Sequence, residues 1–266
     1  MWEVSISLAV FVLLCASAAL GRYVRPRLPE AHRARETMET MHLMIGMLVT
    51  FAALVLGLLT ASVKSSFDRA VFERRDYALQ LTQMDQCLRN LGPMGDEPRR
   101  LIKEYTAAII ASTWPNEPHP TGVDYPDTSR MPLTGASPAL EALLNRADVL
   151  LHTAQPTEPA LKGLLQDCIT DEHSLLAARR TVIESVGTRL SRPFLGVLVF
   201  WLMVVFSAFG LVAPRNTLSL LGILLCAVSL STVMFIIADL SEPYSGFFSI
   251  SSEYMRNALA SMMHPT

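Results

Sequence analysis

Apolar residues in this chain gather into four blocks, at residues 4–20, 44–61, 194–212 and 218–238. No Lys, Arg, Asp, Glu or His interrupts any of them. Each block has about the 17–25 residues that carry a helix across a hydrocarbon core of roughly 30 Å. The pattern therefore predicts four transmembrane helices. The first block lies where a signal peptide would, but Glu3 stands where such a leader carries positive charge. Leu14 rather than a small residue precedes Cys15, so no lipid-attachment signature is present. We read this block as a spanning helix.

The second block does not stop at the membrane. Val49, Ala53, Leu56, Thr60, Val63, Phe67, Ala70, Arg74, Tyr77, Leu81, Met84, Leu88 and Leu91 follow alternating steps of four and three, a heptad seam broken mainly by Arg74. A single helix over residues 44–91 would be about 70 Å long, and Gly92-Pro93 ends it. A shorter helix is predicted from Pro98 to Trp114, capped by Asp96 and stopped by Pro115. Residues 116–136 carry Pro118, Pro120, Pro126 and Pro132 and read as an exposed loop. Ser137-Pro138 opens a further helix with Leu140, Leu143, Leu144, Ala147, Leu150 and Leu151 on one face. Thr157-Glu-Pro opens the last middle helix, with a seam of Leu161, Leu164, Cys168, Glu172, Leu175, Arg179, Val182 and Val186 that reaches Pro193.

The fold class expected is an all-α integral membrane protein of four spans, with helices 2 and 3 extended into a helical extramembrane domain as an antiparallel pair. The segments are 1–61 for the first two spans, 62–192 for the extramembrane domain, 193–240 for the last two spans, and 241–266 for a turn and a short amphipathic helix. In that last helix Tyr254, Met255, Ala258, Leu259 and Met262 share a side, for the membrane surface or a neighbouring helix.

Composition agrees with the pattern. Hydrophobic residues make up 51% of the chain and charged residues 17%, against roughly 25% charged in soluble domains. With a net charge of −2, no basic tail and no Gly-rich phosphate loop, nucleic acid is excluded as a partner. The loop after the first block holds Arg22, Arg25, Arg27, Arg33 and Arg35. Such an excess in a short loop is retained in the cytoplasm, which puts the middle domain outside. Lys64, Arg69, Arg74, Arg75, Arg179, Arg180, Arg189 and Arg192 flank the opposite side but belong to a long loop, where charge steers weakly.

Cys87 lies 25 residues beyond Ser62, where the second span ends, and Cys168 lies 26 residues before Phe194, where the third begins. In an antiparallel pair both stand at the same height. Two readings stay open: a pair of buried free thiols, or a disulfide, which requires an oxidising compartment. Cys15 and Cys226 fall inside spans and read as small apolar residues.

Candidate ion-pathway residues are Gly57, Thr60, Lys64, Ser65 and Asp239. The second span carries small or weakly polar residues at Gly46, Thr50, Ala53, Gly57, Thr60 and Ala61, and the last two spans add Gly196, Ser207, Gly210, Gly222, Cys226, Ser229 and Thr232. Such residues let helices approach closely in lipid, or they line a cavity that tolerates water and ions. Lys64 among Ser62, Ser65 and Ser66 is either an anion-attracting group at a pore mouth or a snorkelling lysine. Asp239 either binds a cation or pairs with Arg256 at the interface. Enzyme signatures are missing. The six histidines show no i, i+4 pairing for a metal, Asp171-Glu172-His173 point in different directions, and no serine sits in a G-x-S-x-G elbow. No catalytic residue, cofactor or metal site is expected.

Several stretches are familiar. Gly57-Leu-Leu-Thr-Ala-Ser-Val-Lys-Ser-Ser-Phe-Asp68 resembles the end of the second span in a large bacterial family described as bestrophin-like membrane proteins. Val197-Leu-Val-Phe-Trp-Leu-Met-Val-Val-Phe-Ser-Ala-Phe-Gly-Leu-Val-Ala-Pro-Arg-Asn216 resembles its third span and hairpin. Pro243-Tyr-Ser-Gly246 and Ile250-Ser-Ser resemble the turn after its fourth span, and Ile110-Ala-Ser-Thr-Trp-Pro115 a shorter pattern in the middle. The resemblance implies a multi-pass protein of the bacterial inner membrane, a homo-oligomer in the lipid bilayer, and through the link to bestrophins an ion channel selective for anions. Bestrophins line the pore neck with an Asn-Pro-Pro-aromatic stretch; this chain has none, and no gate residue carries over. Bestrophins also keep their helical part in the cytoplasm, against the periplasmic placement that the arginine loop favours. The competing reading is a non-conducting scaffold or sensor that uses its helical domain for protein interaction.

Overall fold

In hydrocarbon a chain must satisfy its backbone N–H and C=O groups within the spanning segment, and each apolar block is accordingly one helix. The computed structural model describes residues 2–27, 29, 35–185, 192–214, 216–244 and 246–264. All regular structure among them is helical: α1 (Trp2–Val24), α2 (Arg35–Asn90), α3 (Asp96–Thr113), α4 (Pro138–Thr153), α5 (Pro159–Ser185), α6 (Arg192–Val212), α7 (Thr217–Leu240) and α8 (Glu253–Met263). Four of these, α1, α2, α6 and α7, are long and apolar enough to cross a membrane. The chain divides into a unit of residues 1–67 and 189–248 and a unit of residues 68–188 and 249–266. Helix α2 contributes to both. Val186, Arg189 and the passage from α5 into the third span lie outside the described residues, as do Arg33 and Arg215.

In the first unit α1 packs against α6 and α7. A Cβ built on Gly21 would overlap the Ser207 carbonyl oxygen, and one on Gly210 would overlap that of Ala18. The α1 and α6 backbones thus touch, as small residues allow in lipid. Ser7 Oγ donates to the Ser231 carbonyl at 2.9 Å, and Arg25 donates to the Ala213 carbonyl. Leu14, Leu202, Phe206, Met234 and Ile237 form the centre, and α2 adds Ala52, Leu56, Leu59 and Val63. This α2 stripe shares Leu56 and Val63 with the expected seam but replaces Ala53 and Thr60 by Ala52 and Leu59. At the second swap the larger apolar side chain, Leu59, turns inward and leaves Thr60 half-buried, while the first exchanges one alanine for another.

The second unit is built from residues 68–90 of α2 with α3, α4, α5 and α8. Here every seam position from Ala70 to Leu91 on α2 is buried, and Arg74 is the exception in kind rather than in place. It is 1% exposed, its guanidinium 5.4 Å from the Trp114 ring and 6.0 Å from the Tyr77 ring, so the buried cation lies against aromatic faces. The Tyr77 and Tyr105 hydroxyls hydrogen bond, joining α2 to α3, and burial pushes both phenols above their usual range. Arg179 on α5 acts on this tyrosine pair, while Cys168, earlier on α5, meets Cys87, later on α2. The two helices therefore run antiparallel.

Two differences from expectation concern charged residues. Asp96 is the first residue of α3, and Gly95 takes the cap position without a side-chain cap. Arg256 pairs not with Asp239 but with Glu117, at 3.0 Å. Helix α8 packs on α3 through buried Met255, Leu259 and Met262, because a helix with one apolar face needs an apolar partner. Ser252 also donates to Glu117, and Trp114 Nε1 donates to the Ile250 carbonyl at 2.7 Å. The Trp114-Pro115 and Ile250-Ser-Ser stretches thus meet each other.

Trp114→Phe removes that indole donor and weakens the aromatic face under Arg74. We expect it to destabilise the second unit by about 2 kcal/mol, read as a lower midpoint in thermal unfolding followed by circular dichroism.

Candidate functional site

Helix α2 in the first unit has two contrasting faces. At about 100° per residue, Ala52, Leu56, Leu59 and Val63 fall on one side, and Gly46, Thr50, Ala53, Gly57, Ala61 and Lys64 fall on the other. The first group is buried and all six of the second are exposed. A Cβ on Gly46 or Gly57 would meet nothing within 4 Å. Thr50 Oγ1 donates to the Gly46 carbonyl at 2.9 Å and Thr60 Oγ1 to the Leu56 carbonyl at 2.8 Å. Each hydroxyl proton is thus used on the helix itself, and its oxygen still has acceptor capacity. The small-residue pattern therefore resolves into two kinds. Gly210 and Ser207 serve packing inside the chain, whereas Gly46, Gly57, Gly196 and Gly222 meet no neighbour.

Of the sequence candidates, Gly57, Lys64 and Ser65 are exposed on α2 and Thr60 is half-buried beside them. The Lys64 ammonium lies 5.9 Å from the Phe67 ring. Asp239 stands apart from this group. It is fully buried, and its carboxylate accepts from Phe247 N at 2.9 Å and Phe248 N at 2.8 Å. Gly246, at φ +115°, brings the chain so close that a Cβ would overlap Asp239 Oδ1. Asp239 therefore holds the turn after α7, and the Pro243-to-Gly246 stretch takes its glycine from this contact.

Two grooves open on the first unit. One of about 250 Å³ is lined by Phe51, Val55, Phe194, Val197, Leu198 and Trp201. The other, of about 350 Å³, runs past Val49, Leu56, Leu202, Phe206, Leu225 and Leu230. Both are lined almost entirely by apolar side chains.

In the second unit Cys87 and Cys168 are bonded, with Cα atoms 5.5 Å apart. Near them α4 and α5 assemble a cluster that sequence reasoning missed. Asp148 and His152 stand one turn apart on α4, with His152 Nδ1 2.8 Å from Asp148 Oδ1, and Glu172 reaches them from α5. One ligand-type atom from each residue lies within 4.8 Å of the others. Burial first, and then the neighbouring Asp148 carboxylate, push the Glu172 carboxyl up to about 7, with His152 acting the other way. A search for paired histidines on one helix could not find this set, because it contains one histidine and spans two helices. The periodicity did give a hint, since it placed Glu172 on the buried seam of α5.

Comparisons with known proteins bear on the family and the fold. A family model described as the bestrophin-like domain matches residues 12–255. Among solved structures, the chain is similar to a variant of a bacterial bestrophin homologue from Klebsiella pneumoniae, with a TM-score of 0.66 at 12% identity, covering 98% of this chain and 96% of that one. A second variant of that homologue gives 0.64 at 11% identity, covering 97% of each chain. A structure described as a membrane protein gives 0.64 at 12% identity, covering 97% of this chain and 99% of that one. At these identities the likeness is one of fold. Comparison with curated proteins gave no match.

The cysteine bond closes a sequence separation of 81 residues. Cys87→Ser should lower the stability of the second unit by about 4 kcal/mol through the freed chain entropy of the unfolded state. Denaturant unfolding of the protein with and without reductant measures it; the wild type should fall to the variant's midpoint when reduced.

Proposed function

The chain belongs to the bestrophin-like family, and from that premise we propose that it assembles with copies of itself into a membrane channel for small ions, anions first. The observation that carries this reading is the outward stripe of α2. A spanning helix that buries Leu56 and Leu59 against its own chain and leaves Gly46, Thr50, Ala53, Gly57 and Ala61 exposed is suited to facing other copies around a shared axis. The apolar lining of both grooves adds to this, since neither of them suits an ion. In such an assembly Gly57, Thr60, Ser65 and Lys64 lie along the path, with Lys64 at its mouth. Asp239, committed to its turn, has a positioning role.

We infer an inner-membrane location with the middle domain on the periplasmic side. The Cys87–Cys168 bond supports it, because disulfides persist in oxidising compartments, and so does the arginine loop. Alkylating intact cells with a thiol reagent, with and without reductant, tests this. Protection of Cys87 and Cys168 until reductant is added supports the placement, and free labelling without reductant contradicts it.

For conduction, the experiment is ion flux in liposomes. Lys64→Glu should lower the ratio of chloride to potassium flux several-fold while leaving assembly size unchanged. With Cys15 and Cys226 replaced by Ala, Ala61→Cys should be blocked by a charged water-soluble thiol reagent and Leu59→Cys should not. A monomer with no flux of chloride, sodium or potassium would leave the scaffold reading in its place.

A further inference from the structure

We propose that Asp148, His152 and Glu172 form a binding site for one divalent first-row transition cation, Zn²⁺ being the first choice, that staples α4 to α5. The site is independent of the membrane stripe and of the channel reading. Its donors are two carboxylates and an imidazole, the mixed oxygen and nitrogen set that suits zinc. Calcium and magnesium prefer all-oxygen shells, so the imidazole argues against them. The three donor atoms lie within 4.8 Å of one another. Bonds of about 2.0–2.1 Å to a central ion need a modest side-chain adjustment to close that spacing. Asp148 and His152, with side chains 42% and 48% exposed, make it by giving up their mutual 2.8 Å contact and the 3.1 Å contact of His152 Nδ1 with the Asp148 carbonyl.

A second observation points to an occupant. Glu172 is 2% exposed, and its Oε2 is buried with no hydrogen-bond partner. A buried, unpartnered carboxylate oxygen is costly, and it lies beside another carboxylate, Asp148. A cation between them removes both costs. Exposed Asp148 and His152 give it an entry path from water, and three protein donors leave a fourth position for a water molecule. The His173 ring stands 6.4 Å from that of His152, which adds a second imidazole at the rim.

The rival occupant of the space at Oε2 is a proton. Untagged full-length protein, stripped with a chelator, separates the two when Zn²⁺ is titrated against a chromophoric competitor. We expect one tightly bound Zn²⁺ per chain and a rise in unfolding temperature on binding, with no such rise from Ca²⁺ or Mg²⁺. His152→Ala and Glu172→Gln should each weaken binding by about tenfold or more and lose the rise, whereas His119→Ala should keep both. His152 is exposed, so its variant tests the site even where Glu172→Gln fails to fold. Failure of the wild type to bind Zn²⁺, or binding by His152→Ala equal to wild type, overturns the proposal and assigns the space to a proton.

Discussion

In a bilayer the backbone of a spanning segment finds no water, and α2 meets that demand as one unbroken helix from Arg35 to Asn90. The same helix must serve two environments. In residues 68–90 its seam is buried against α3, α5 and α8, while in the spanning part only the stripe through Ala52, Leu56, Leu59 and Val63 is covered by its own chain. The proposed assembly rests on what lies on the other side of α2. The glycines there meet nothing, and a helix that buried them against its own chain would have shown close backbone contact, as α1 and α6 do at Gly21 and Gly210.

The elements with strong local chemistry were legible in the sequence. The uncharged blocks gave the spans, Gly92-Pro93 the end of α2, and Ser137-Pro138 the start of α4, because each acts through neighbours a few residues away. The matched heights of Cys87 and Cys168 were also visible, since rise per residue converts sequence distance into height along a helix. The side of α2 that turns inward was less legible. An alternation of four and three fits adjacent stripes almost equally, and the choice between Ala53 and Ala52 depends on which partner helix supplies a surface.

What the sequence hid were contacts made across elements. Arg74 broke the seam as a string of letters, yet it is buried against the rings of Tyr77, on its own helix, and Trp114, just past the end of α3. Asp239 looked like an interfacial charge, but backbone N–H groups at Phe247 and Phe248 claim both of its oxygens. Asp148, His152 and Glu172 come together only when α4 packs on α5. Trp114 lies 40 residues beyond Arg74 and Glu172 lies 20 beyond His152, while Phe247 and Phe248 reach Asp239 around a turn, and none of these contacts is carried by helical periodicity.

The central claim is that the small-residue stripe of α2 faces other copies around a common axis. Spin labels placed one at a time at Thr50 and Ala61, on the outward stripe, and at Leu8 and Leu221, exposed on α1 and α7, allow distances between copies to be measured by pulsed electron resonance in liposomes. The account predicts the shorter distances at Thr50 and Ala61. Shorter distances at Leu8 and Leu221, or no distance between copies at any site, would contradict it.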